Sequence, residues 1–146
     1  MKLLLDENVT PGWARLLQGQ FNEHQFVTTA QVHLQGVDDA DLFPTAADLD
    51  FDAIVTNDVK QMERHSERRA LFDSGMSWIG IESGSQMTGK LALRLQLATL
   101  VAGLAVLEAA WRPEPWAYRL RHITATENAR LDAFDLWDDG WGPRPA

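Results

Sequence analysis

The chain has 146 residues, 45% of them hydrophobic and 23% charged. That is enough apolar sequence for the core of one domain, and it lies outside the composition range of disordered chains. It contains no cysteine, which excludes a disulfide framework, a cysteine-ligated zinc site and thiol catalysis. A net charge of -8 works against nonspecific nucleic-acid binding, so any contact with a phosphate backbone needs a local basic cluster or carboxylates offset by a bound cation.

The chain opens Met1-Lys2 and runs through Leu3-Leu4-Leu5 into Asp6-Glu7-Asn8. The apolar stretch is too short for a signal peptide and lacks a small-residue cleavage site, so a cytoplasmic protein is expected. The run itself predicts a strand closed by a polar turn. Pro11 then sits at the first turn of a helix over Gly12 to Gln18, with Trp13, Leu16 and Leu17 at helical spacing. His24 to Thr29 is rich in Phe, Val and Thr and predicts a second strand, followed by a loop through His33 and Gly36. That loop ends at Val37-Asp38-Asp39. Either aspartate can cap the helix expected over Ala40 to Asp48.

Asp52 to Thr56 predicts a third strand, ending in the polar turn Asn57-Asp58 before a charged helix from about Val59 to Phe72. Ser77 to Ile81 predicts a fourth strand, and Thr88 or Gly89 starts a long helix reaching about Ala110, mostly buried, with the apolar-rich run Leu91 to Trp111. Arg94, Gln96 and Glu108 interrupt that run, so a membrane span is not expected. Pro113 and Pro115 stop it, and Trp116 to Leu120 alternates bulky residues as an edge strand does. Residues 1–125 form the expected α/β domain, and 126–146 a polar and aromatic tail.

Strands alternating with helices predict a parallel sheet covered on both faces, because parallel strands are joined by crossovers that are usually helical. Ligands of such sheets bind beyond the carboxyl ends of the strands. Asp6 follows the first strand and Asp58 the third, and Asp39 at a helix start can face the same edge. Converging carboxylates are costly without a cation or a shared proton, and hard oxygen ligands suit Mg²⁺ or Mn²⁺. Lys60, Arg64 and Arg68 recur every four residues beside Asp58, which on one helix makes either a phosphate track or a solvated face balanced by Glu63 and Glu67. The four histidines show no ligand spacing such as His-x-x-x-His, so a histidine zinc site is not expected.

Three segments together, Met-Lys-Leu-Leu-Leu-Asp-Glu-Asn at positions 1 to 8, Gly36-Val37-Asp38-Asp39, and Ile54-Val55-Thr56-Asn57-Asp58, resemble the PIN-like proteins. The resemblance is to the small branch that begins with a strand followed by Asp-Glu-Asn and later carries a strand ending in Thr-x-Asp. It covers roughly residues 1 to 85. It implies a three-layer α/β/α domain with a mainly parallel sheet of four to five strands, and a Mg²⁺- or Mn²⁺-dependent endoribonuclease centre. Asp6, Asp39 and Asp58 then take both the metal and the catalytic positions; the expected substrate-binding residues Lys60, Arg64 and Arg68 rest on their spacing alone. It also implies a toxin paired with an antitoxin protein; homodimerisation through the C-terminal aromatics is a further expectation. One departure stands out: the branch usually reads Thr-x-Asp-x-Asp-Phe, whereas Lys60 stands where the further acid is expected. The alternative is therefore a catalytically inactive PIN-like module that binds protein or dimerises.

Overall fold

The computed structural model describes residues 1–84 and 88–123. The expected tail, 126–146, lies outside them. In chain order the elements are β1 (Lys2–Leu5), α1 (Trp13–Gln20), β2 (Gln25–Thr28), α2 (Asp39–Asp48), β3 (Ala53–Thr56), α3 (His65–Ser74), β4 (Ser77–Ile81), α4 (Gly89–Ala110) and β5 (Ala117–Leu120). The five strands form one sheet of order β2-β1-β3-β4-β5 in which every pairing is parallel.

Alternation along the strands separates two cores. Leu3, Leu5, Ala53, Val55, Ile79 and Ile81 point to one face and pack on Trp13 and Leu17 of α1 and on Leu100, Leu104 and Leu107 of α4. Leu4, Ile54 and Trp78 point to the other, against Leu42, Phe43 and Ala46 of α2 and Leu71 of α3. The result is three layers. Every residue of β3 and β4 is buried, as expected for central parallel strands covered on both sides. Gly80 is part of that packing: a Cβ there would lie 2.0 Å from the Trp78 indole, so the glycine makes the room that the ring fills.

Two expectations need correction. The charged segment after Asp58 is not one helix: a 3₁₀ turn over Val59–Glu63 gives way to extended backbone at Arg64 (φ -87, ψ 110), and α3 starts afresh at His65. Within the turn Gln61 is buried and accepts a hydrogen bond from the Trp78 indole Nε1 at 3.0 Å, which fastens the turn to the core. Helix α4, in turn, is not mostly buried. It is long and apolar enough to cross a bilayer by length and composition, but only 28% of its most apolar window is buried. Leu95, Thr99, Leu100, Leu104 and Leu107 form the stripe that meets the sheet, while Leu91, Leu93 and Val106 are exposed. A sheet offers a helix one surface, and among the described residues no further layer covers the outer side.

Candidate metal centre at the carboxyl ends of the strands

Neighbouring strands β1 and β3 send their chains in opposite directions, β1 towards β2 and β3 towards β4. Between their carboxyl ends lies the crevice where such sheets bind ligands. Asp6 and Asp58 both emerge there. The backbone N–H of Asp6 still donates to Val55 of β3 at 2.9 Å, so this residue is held by the last rung of the sheet.

A polar network fixes the crevice. The Thr56 hydroxyl, at the end of β3, donates to Asp6 Oδ2 at 2.8 Å and accepts from the Asp58 N–H at 3.0 Å and from Asn8 Nδ2 at 3.1 Å. Asn8 Oδ1 accepts from the Asn57 N–H, and the Asn57 side-chain amide donates to the Asn8 carbonyl. Asn8, Thr56 and Asn57 thus clamp the two acid-bearing turns together. Glu7 reaches the other way, its Oε2 accepting from the Gly36 N–H at 2.9 Å, which draws in the loop before α2.

Asp39 is the first residue of α2. Its side chain does not cap the helix; neither does that of Asp38, which occupies the capping position without a side-chain hydrogen bond. Instead Asp39 Oδ2 accepts from Gln61 Nε2 at 2.8 Å. The same Gln61 amide thus holds Trp78 with its oxygen and Asp39 with its nitrogen. Asp6, Asp39 and Asp58 line one cavity of about 200 Å³ together with Glu7, Asn8 and Gln61.

The electrostatics are unfavourable to the charged acids. Burial pushes the Asp6 carboxyl above its ordinary value; hydrogen bonds from Thr56 and the Glu7 N–H oppose this, and the Glu7 and Asp58 charges add to it. Asp39 is raised to about 6, first by burial and then by its contact with Glu67, with Gln61 opposing and the Glu67 and Asp6 charges contributing. Burial works against the charge of Glu67 too, but hydrogen bonds from Arg64 and Asp39 outweigh it and hold this carboxyl below its ordinary value. Arg64 Nη1 donates to both Glu67 oxygens, at 2.6 and 2.7 Å, and its Nη2 donates to Asp58 Oδ2.

This donor set suits a hard divalent cation. Its oxygens come from the cavity's four carboxylates, Asp6, Glu7, Asp39 and Asp58, although among the described residues no three of these close to within 4.8 Å of one another. Of the candidate basic residues, Arg64 lies at the centre, and Lys60 joins it only through its backbone N–H, which donates to Asp58 Oδ1. Arg68 lies elsewhere, on an apolar groove of about 390 Å³ with Met62, Phe72 and Trp116. The break at Arg64 means that the three do not share a helix face.

Two groups were missed by sequence reasoning. Gln61 and Glu67 carry no motif, and only the fold brings them to Asp39. A second cluster joins Glu23, His24 and Glu108, whose ligand atoms lie within 4.8 Å of one another at the opposite end of the sheet. No spacing in the sequence announces it, because Glu108 is 84 residues from His24.

The family model described as PIN like domain matches residues 1–83. The chain belongs to the PIN-like domain family. No curated protein and no solved structure matches it.

Proposed function

We propose that this protein is a metal-dependent endoribonuclease of PIN-like type. The observation that carries the reading is the convergence of Asp6, Asp39 and Asp58 on one small polar cavity at the switch point of the sheet, with the carboxyls of Asp6 and Asp39 raised by burial and by like charge. Uncompensated acids in such a position cost stability, and a bound cation removes that cost.

Asp6, Asp39 and Asp58 would hold Mg²⁺ or Mn²⁺, which when bound acidifies water and neutralises charge on a phosphodiester. Thr56 and Asn8 keep the Asp6 carboxylate aimed into the cavity. Asp6 Oδ1, which otherwise accepts only the Glu7 N–H, is the atom positioned to take a proton from an attacking water. Lys60 and Arg64, beside Asp58, are the groups nearest the path of an RNA backbone, whereas Arg68, on the apolar groove, lies off it. The setting proposed is cytoplasmic, as the toxin of a toxin-antitoxin pair.

The test is incubation of purified protein with a panel of structured and single-stranded RNAs, with Mg²⁺ or Mn²⁺ and with chelator. Cleavage present with metal and lost with chelator supports the reading; intact RNA throughout, from folded and monodisperse protein, overturns it. A second reading, a non-catalytic module for protein binding or dimerisation, is favoured by a separate observation: Phe72 and Trp116 are exposed beside the apolar groove, and Lys60 replaces an expected acid. Its signature is a stable complex or dimer that Phe72→Ser abolishes.

A further inference from the structure

Position 60 lacks the acid expected of this branch, yet a carboxylate outside the cavity of Asp6 and Asp58 is joined to Asp58 through one guanidinium. It is Glu67, in the first turn of α3. Its side chain is 19% exposed, and it lines a second cavity, of about 420 Å³, with Glu7, Asp38 and Asp39. A glutamate in the first turn of a helix is ordinarily explained by the partial positive charge there. Here the side chain also has a cationic partner, the Arg64 guanidinium, and shares a cavity with the Asp39 carboxyl.

Arg64 has the geometry of a stand-in. One guanidinium bridges Asp58 and Glu67, so both oxygens of Glu67 and one of Asp58 are turned towards a single positive charge. Lys60 and Arg64 together occupy both Asp58 oxygens, through a backbone N–H and the guanidinium. A divalent ion reaching Asp58 must displace the guanidinium or share Asp58 with it. The segment is built for such an exchange, because Arg64 sits on the extended residue between the 3₁₀ turn and α3 and is itself exposed.

We propose that Glu67 is the fourth carboxylate of the metal site, and that Arg64 is the cation that holds Asp58 and Glu67 together until a divalent ion replaces it. This rests on the metal reading above, and it explains how a chain with Lys60 keeps a complete acid set. Once released, Arg64 is free to meet a substrate phosphate.

Calorimetric titration of the protein with Mn²⁺, with no RNA present, tests this directly. Glu67→Gln should weaken binding by about tenfold or more, with far-ultraviolet circular dichroism unchanged. Arg64→Met should tighten it, because the competing cation is gone. Adding Lys60→Asp to Glu67→Gln should restore binding towards the wild-type value. Unchanged affinity in Glu67→Gln, with wild-type protein binding Mn²⁺, overturns this proposal and leaves the metal reading intact. Wild-type protein that binds no Mn²⁺ overturns both. Should Glu67→Gln fail to fold, Arg64→Met decides: unchanged or weaker Mn²⁺ binding in that variant overturns the exchange.

Discussion

Two charged clusters sit at opposite ends of the sheet and are built on opposite principles. At the amino end His24, buried, has a partner on each ring nitrogen: Glu108 Oε1 lies 2.9 Å from Nε2 and the Met1 amine 3.2 Å from Nδ1. The His24 ring bridges an amine and a carboxylate, and the cluster ties α4 to the start of β2. At the carboxyl end acids face acids, held by the neutral groups Thr56, Asn8, Asn57 and Gln61 and by the one guanidinium of Arg64. A buried histidine bridged between an amine and a carboxylate is accounted for by its own partners, whereas carboxylates around a cavity carry more negative charge than one guanidinium offsets.

The sharpest way to break this contrast is Asp6→Asn. If the carboxyl-end cluster is the catalytic centre, removal of this charge should lower RNA cleavage on the order of 10³-fold, corresponding to a loss of about 4 kcal/mol of transition-state stabilisation. Retained cleavage would place the chemistry elsewhere.

Next in size is Gln61→Leu. Truncating the amide leaves the buried Trp78 N–H without its acceptor and Asp39 without its donor, an expected cost of about 2 kcal/mol in denaturant unfolding. A variant as stable as wild type would mean that the indole finds another partner.

Asp39→Asn should act in the opposite sense and stabilise the metal-free protein at pH 7. Its carboxyl is raised from 3.8 to about 6, so the folded state holds its proton where the unfolded chain has lost it. The penalty is therefore fully present above about pH 6 and disappears as the pH falls towards 4; metal-free wild type should gain stability over that window, and Asp39→Asn should not. The full displacement corresponds to about 3 kcal/mol, but the group is partly solvated, and roughly 1 kcal/mol is expected. Thermal melts at pH 7 and pH 5 measure it.

Smallest of all is Glu108→Gln at the amino end. It keeps an acceptor for His24 and should cost less than about 1 kcal/mol, with no change in Mn²⁺ affinity. A large loss of metal binding in this variant would erase the distinction between the two clusters.

Much of the fold was legible because β1, β3 and β4 are short apolar runs closed by polar turns, and the segments between them carry helical spacing. The parallel sheet and the shared edge of Asp6 and Asp58 follow from that alternation. The break at Arg64 was not legible, since the four-residue spacing of Lys60, Arg64 and Arg68 fits a continuous helix and nothing local opposes one. The turn before it is fastened by a tertiary contact that no local pattern announces, Gln61 with Trp78 across 17 residues. Glu67 was hidden for the same reason: as a residue in a charged stretch it resembled a solvated counter-charge, and only the packing of α3 beside α2 brings it to Asp39. The outer face of α4 was misjudged because hydropathy reports how apolar a helix is and not how many neighbours it has.

The Gln61 amide has one more consequence. Its oxygen faces an indole N–H and its nitrogen faces a carboxyl oxygen, so a half-turn of the amide would set donor against donor at one end and acceptor against acceptor at the other. The side chain is therefore keyed, with only one orientation compatible with both ends. Asp39 inherits its aim from the largest fully buried side chain of the core. A change of volume beneath the sheet, even one far from any charge, would be read at the cavity as a change in the direction of a ligand.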